Sequence, residues 1–173
     1  MNAKINFNEN VQVRTRRFIQ DENGDEEING VRGRYTDWVE GKPTKNLITN
    51  TGFDFLLNQM YGISGLGSVG AVYGALSTDS TGPDATDTEL TGELSSNGFS
   101  RAIMVSAHTT GTKVITLTKR WTATGDQSSI QKGAIFTAES GGTMVNEFLL
   151  DAVYTLKTYD QIELRFTMTV GES

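Results

Sequence analysis

Apolar residues recur at every second position over several stretches of the chain. Val11 and Val13 lead, through Thr15 and Arg17, to Ile19, alternating with Gln12, Arg14, Arg16 and Phe18. A period of two puts alternate side chains on opposite faces of a strand. The alternation is cleanest near the end, where Ile162, Leu164, Phe166, Met168 and Val170 are interleaved with Glu163, Arg165, Thr167 and Thr169. Strands are also predicted over 99–107, 113–123, 130–137 and 144–156, the second with Ile115, Leu117 and Trp121 on one face. The early strand runs into Asp21-Glu22-Asn23-Gly24-Asp25-Glu26-Glu27, and its Asn-Gly predicts a tight hairpin because both residues tolerate positive φ. A second Asn-Gly, Asn29-Gly30, precedes a further strand over 31–39, whose parity sends Tyr35 and Trp38 to opposite faces.

The period changes once. Phe53, Leu56, Leu57 and Met60 fall at i, i+3, i+4 and i+7, which predicts a helix over 51–61. Thr51 followed by Asp54 reads as a capping box, and Gly62 as the left-handed stop. A helix this short is marginal alone, so its apolar stripe is expected to cover a sheet. The following stretch, 63–93, is glycine-rich and then Ser/Thr/Asp-rich, mainly loop around one apolar segment at 71–76. The expected architecture is mainly β: an antiparallel β-sandwich, jelly-roll-like, over 45–173, with one short α-helix closing an end and an extended N-terminal arm or hairpin over 1–44.

Composition narrows the function. At 173 residues and 18.9 kDa the chain makes one modest domain. It has no cysteine, which removes disulfides, thiol nucleophiles, redox pairs and thiolate metal sites. His108 is the sole imidazole, so His-rich metal sites and HExxH proteases are excluded. A net charge of -6 and pI near 4.8 argue against nucleic acid as a partner. No apolar run reaches the length of a signal peptide or membrane span, so a soluble chain made in the cytoplasm is expected, with no membrane partner.

Motifs that could carry chemistry have simpler readings. Gly65-Leu66-Gly67-Ser68-Val69-Gly70 spells GxGxxG but follows a helix instead of a strand and opens no βαβ unit, so a flexible loop is expected. The Asp21 to Glu27 run lacks EF-hand spacing, and the series Asp79, Asp84, Asp87, Glu89 and Glu93 lies in an ordinary polar loop. His108 sits in a turn with no GxSxG elbow elsewhere. Carboxylate pairs for glycoside hydrolysis abound on paper, but a sequence places none at the required separation. No catalytic residue, cofactor or metal is therefore assigned. The basic residues stand out more: Arg14, Arg16, Arg17, Arg32 and Arg34 cluster near the N-terminus of an otherwise acidic chain, beside Tyr35 and Trp38. Charges guarding a sheet edge are the simplest explanation. Docking onto a neighbour's sheet or acidic surface is the other, with these seven residues as anchors.

Three segments, Lys45-Asn46-Leu47-Ile48-Thr49-Asn50-Thr51-Gly52-Phe53-Asp54-Phe55-Leu56, Tyr73-Gly74-Ala75-Leu76-Ser77-Thr78, and Thr88-Glu89-Leu90-Thr91-Gly92-Glu93 with Arg101, together resemble a widespread family of small tailed-phage virion proteins. The closing part agrees through Ile130 and Phe136, Glu139-Ser140-Gly141-Gly142-Thr143-Met144, Phe148 and Tyr159-Asp160-Gln161-Ile162-Glu163-Leu164, so the resemblance covers 45–170. One departure is Lys132-Gly133-Ala134-Ile135-Phe136, where relatives tend to carry an acid before Gly-Leu-Phe. The resemblance implies a non-enzymatic virion structural protein, first of all a capsid decoration or cement protein bound to the major capsid protein. A neck, baseplate or tail-fibre-attachment protein is the alternative. A homo-oligomer, with a trimer as one plausible symmetry, goes with either. A glycan-binding surface module using Tyr61, Tyr73 and Trp121 is a third reading, although core packing is the commoner role of such aromatics.

Overall fold

A computed structural model of the chain describes residues 5–61 and 70–172, with side chains placed over 10–56 and 70–169. The elements follow in the order β1 (Ile5–Arg16), β2 (Phe18–Gln20), β3 (Glu26–Ile28), β4 (Val31–Tyr35), β5 (Val39–Glu40), β6 (Thr44–Lys45), β7 (Leu47–Ile48), α1 (Asn50–Tyr61), β8 (Tyr73–Ser77), β9 (Ala102–Ile103), β10 (Val105–His108), β11 (Val114–Thr122), β12 (Gln127–Phe136), β13 (Met144–Leu156) and β14 (Gln161–Glu172). The protein is mainly β with antiparallel sheets and one short helix. A six-stranded sheet runs β10-β11-β14-β1-β5, with β6 also on β1. A five-stranded sheet runs β7-β13-β12-β8-β9, and a small three-stranded sheet β2-β4-β3.

Strand alternation builds the core. The large sheet turns Val11 and Val13, Leu117 and Trp121, and Ile162, Leu164 and Phe166 inward, where they meet Leu76, Ile130, Ile135, Phe148, Leu150 and Leu156 of the five-stranded sheet in one buried cluster. A second cluster, Ala75, Leu90, Ala134, Phe136 and Met144, involves the same five-stranded sheet. The long connection from β8 to β9 contributes Leu90 to it and sends Leu94 and Phe99 to the main core. Arg101 pins that connection: its Nε donates to Glu93 Oε1 at 2.9 Å, and its guanidinium lies 3.4 Å from the Phe136 ring centroid.

The N-terminal expectation is corrected. Residues 5–16 form no free arm: β1 pairs with β14 residue by residue, from Ile5 opposite Glu172 to Arg16 opposite Gln161, with β5 and β6 on its other side. The reason is burial, since Val11 and Val13 are 1% and 2% exposed. The hairpin turn lies at Asn29-Gly30, with φ of 50° and 78°, joining β3 to β4; the chain also turns over Asp21–Gly24, where the Gly24 N–H donates to the Asp21 carbonyl at 2.9 Å, but β2 and β3 on either side pair with β4 and not with each other. The strand expected over 31–39 breaks after Tyr35, so parity no longer separates Tyr35 from Trp38. That expected over 99–107 divides into β9, on the five-stranded sheet, and β10, on the six-stranded one.

The helix starts one residue early and is capped by Thr49, whose Oγ1 accepts from the Gly52 N–H at 3.0 Å, in place of the Thr51 and Asp54 box. Phe55 is its buried aromatic at 5% exposure, whereas Phe53, expected on the inner stripe, is 46% exposed. The side chains of Leu57 and Met60, and all of Gly62, lie outside the described residues.

Candidate functional site

The outer face of the six-stranded sheet carries what the core excludes. Alternation that buries Ile162 and Leu164 turns Gln161, Glu163 and Arg165 outward, and the register aligns Arg14, Glu163 and Arg120 in one row, and Arg16, Gln161 and Thr122 in the next. Glu163 is 3% exposed yet charged. Its Oε1 accepts from Arg14 Nε at 2.8 Å and Nη2 at 2.7 Å, and its Oε2 from Arg120 Nη2 at 2.9 Å. Arg165 stands 3.8 Å from the same carboxylate, and Arg14 also reaches the half-exposed Glu40 at 3.3 Å. One buried carboxylate is thus shared by several guanidiniums, which is how a charge can be held out of water.

Trp38 covers this row. The guanidinium carbons of Arg14, Arg16 and Arg120 lie 4.4, 4.7 and 4.9 Å from its ring centroid, each within cation–π range. Arg16 also stacks 3.9 Å from the Tyr35 ring, and its Nε donates to Gln161 Oε1 at 2.9 Å. Gln161 in turn donates to Tyr35 Oη at 3.0 Å. Phe18 meets Tyr35 and Tyr159 edge-on, at 5.3 and 5.5 Å, extending the aromatic wall. Burial, with the Arg120 charge beside it, pulls the Arg16 pKa down, and burial pushes the Tyr35 phenol up.

Four of the seven residues expected at the site, Arg14, Arg16, Tyr35 and Trp38, are therefore brought together. Arg17 stands beside them, paired at 3.0 Å with the buried Asp160, which also accepts the Phe18 N–H at 2.9 Å. Arg32 and Arg34 belong elsewhere: on the three-stranded sheet they face Glu27 at 3.8 Å and Asp21 at 3.5 Å. Sequence reading missed Arg120, Gln161 and Glu163. Their outward positions were visible in the alternation of the last strand and of 113–123, but not their alignment with β1.

No protein-family model and no curated protein matches this chain.

A second polar assembly lies on the five-stranded sheet. Lys132, 1% exposed, places Nζ 2.6 Å from Glu147 Oε1 and 3.0 Å from Asp79 Oδ2, while Glu147 Oε2 is buried without a hydrogen-bond partner. Burial pushes the Glu147 carboxyl up, against the pull of Lys132 and with the added push of Asp87. Asp79 is held down, at about 2, by hydrogen bonds from Thr81 and Lys132. Burial would lower Lys132, but its bonds to Glu147 and Asp79 outweigh that and its pKa is raised. Lys132 thus bridges the two carboxylates, the arrangement of a structural ion triad.

The remaining features offer less chemistry. An apolar cavity of ≈ 200 Å³ lies between the large sheets beside α1, lined by residues such as Phe55, Ile115, Leu117, Val145, Phe166 and Met168. His108 is exposed, its Nδ1 2.8 Å from the Val114 carbonyl oxygen across the β10–β11 hairpin. Trp121 is 3% exposed and donates to the Ser100 carbonyl at 3.0 Å, and Tyr73 packs on the second cluster, so neither is a free stacking platform; the side chain of Tyr61 and residues 65–69 of the GxGxxG lie outside the described residues. Among the described residues no group of three or more acidic or histidine side chains is placed to hold a metal, and no helix is long and apolar enough to cross a membrane.

Proposed function

We propose that this chain is a non-enzymatic structural protein of a tailed-phage particle, a decoration or cement protein bound to the assembled head. In this reading the two large sheets form a jelly-roll-like antiparallel β-sandwich that serves as a scaffold. The observation that carries the proposal is the Arg14, Arg16 and Arg120 cluster around Trp38, displayed on the outer face of the large sheet. Arginine and tryptophan are the side chains that most often dominate protein–protein binding energy. On a chain of net charge -6 this basic patch gives an acidic capsid surface one place to dock. The resemblance over 45–170 supports the same assignment. Binding only the assembled lattice would stabilise that lattice by linkage.

The test is the copy number per particle, from quantitative mass spectrometry of purified virions with the major capsid protein as internal standard. Decoration requires a ratio close to that of the capsid protein. A ratio like that of portal or tail-tip proteins moves the chain to the neck or tail, and absence from particles rejects the virion reading.

A further inference from the structure

Within the cluster around Trp38 the charges do not balance. Among the described residues four cations, Arg14, Arg16, Arg120 and Arg165, stand against three carboxylates, Glu163, Glu40 and Glu26, the last acting on Arg16 without forming an ion pair. The surplus has an address. Arg14 and Arg120 direct their N–H groups at Glu163, whereas Arg16 has the neutral Gln161 oxygen as its only hydrogen-bond acceptor and no ion pair among the described residues. Two aromatic rings flank its guanidinium, at 3.9 and 4.7 Å, and its far N–H groups have no acceptor among the described residues.

We infer that Arg16 is the anchor for a carboxylate side chain in an acidic segment of a partner polypeptide, with Tyr35 and Trp38 packing on that segment. This deepens the docking role given to the same face above and rests on it for the identity of the partner. The ligand class follows from the donors. A single open guanidinium fork matches the two oxygens of one carboxylate, while a phosphate would call on several free cations, and here the neighbouring ones are already engaged by Glu163. The aromatic walls favour a polypeptide, whose apolar atoms they can cover, over a small free anion. Elsewhere the acidic surface repels such a segment, so the cluster also sets its register.

Trp38 supplies the readout, because the only other tryptophan, Trp121, is 3% exposed. The full chain is titrated with a short glutamate-rich peptide, with its glutamine counterpart and with inorganic phosphate, following tryptophan fluorescence. Saturable binding of the glutamate peptide alone is expected, weakened at least about tenfold in Arg16→Gln and falling with added salt. Arg16→Lys keeps the charge but loses the fork, so it should bind more weakly than wild type while melting at the same temperature; it carries the test if Arg16→Gln folds poorly. Equal binding by wild type and variants, binding of the glutamine peptide, displacement by phosphate at equal concentration, or no binding overturns the inference. Peptide binding by a chain absent from virions would keep the anchor and reject decoration. Particle association by a chain that ignores the peptide would do the opposite.

Discussion

Lys132 shows how one residue can be both out of place and well placed. It is a charged residue on a strand of the five-stranded sheet, and it is as buried as the hydrophobic core around it. What makes this tolerable is that Glu147 and Asp79 meet its ammonium at 2.6 and 3.0 Å. Breaking a buried pair leaves an uncompensated charge, so Lys132→Met should lower unfolding free energy by about 3–5 kcal/mol in urea denaturation, and adding Glu147→Leu should restore much of the loss. A double variant no more stable than Lys132→Met would contradict this. Asp79 adds a pH signature. Its pKa is lowered from 3.8 to about 2, so the stability it contributes is present above pH 3.8 and is lost as pH falls towards 2. Asp79→Asn should flatten that part of the acid-unfolding curve, while leaving the neutral-pH side without the ion pair.

At the scale of elements, close backbone approach decides more than propensity does. Gly52 lies inside α1, where alanine would ordinarily gain about 1 kcal/mol. A Cβ there would sit 2.2 Å from the Val145 carbonyl oxygen, so helix and β13 touch through the missing side chain. Gly52→Ala should therefore lower the melting temperature, whereas Asp54→Ala on the exposed side of the same helix should leave it nearly unchanged. The cap tells a similar story: Thr49 accepts from Gly52 N–H and donates to the Met144 carbonyl at 2.6 Å, tying helix start to the first residue of β13. The sequence offers Thr49 and Thr51 on either side of Asn50, and in the fold both hydroxyls donate to the Met144 carbonyl while Thr49 takes the Gly52 N–H. Likewise both Asn-Gly pairs were legible as turns, but pairing of Ile28 with Val31 selects the second as the hairpin.

For the whole molecule the position of β1 matters most. It stands between β14 and the short β5 and β6 strands and lends Val11 and Val13 to the main core. Deleting residues 1–16 would uncover the hydrogen-bonding edge of β14 and open that core, so the truncated chain should lose its cooperative thermal transition. Replacing the three-stranded sheet between Phe18 and Tyr35 by a short linker is a milder change: it removes Tyr35 from Arg16 but leaves both large sheets intact. A native-like melt for the first deletion, by circular dichroism, would show that β1 is dispensable.

The sequence by itself determined the long strands over 113–123, 130–137, 144–156 and 161–170, the apolar faces of the clearest of them, that a helix interrupts the strands, and that the chain lacks cysteine chemistry. These are properties of neighbouring residues, because alternation and helical period are local. The tertiary structure alone decided that β1 is an interior strand, that Trp38 folds over the row of arginines, and that Arg120 and Glu163 join a site whose other half lies near the N-terminus. Arg14 and Glu163 are 149 residues apart, and register between such distant strands is set by burying both apolar faces at once, for which no local pattern carries a signal.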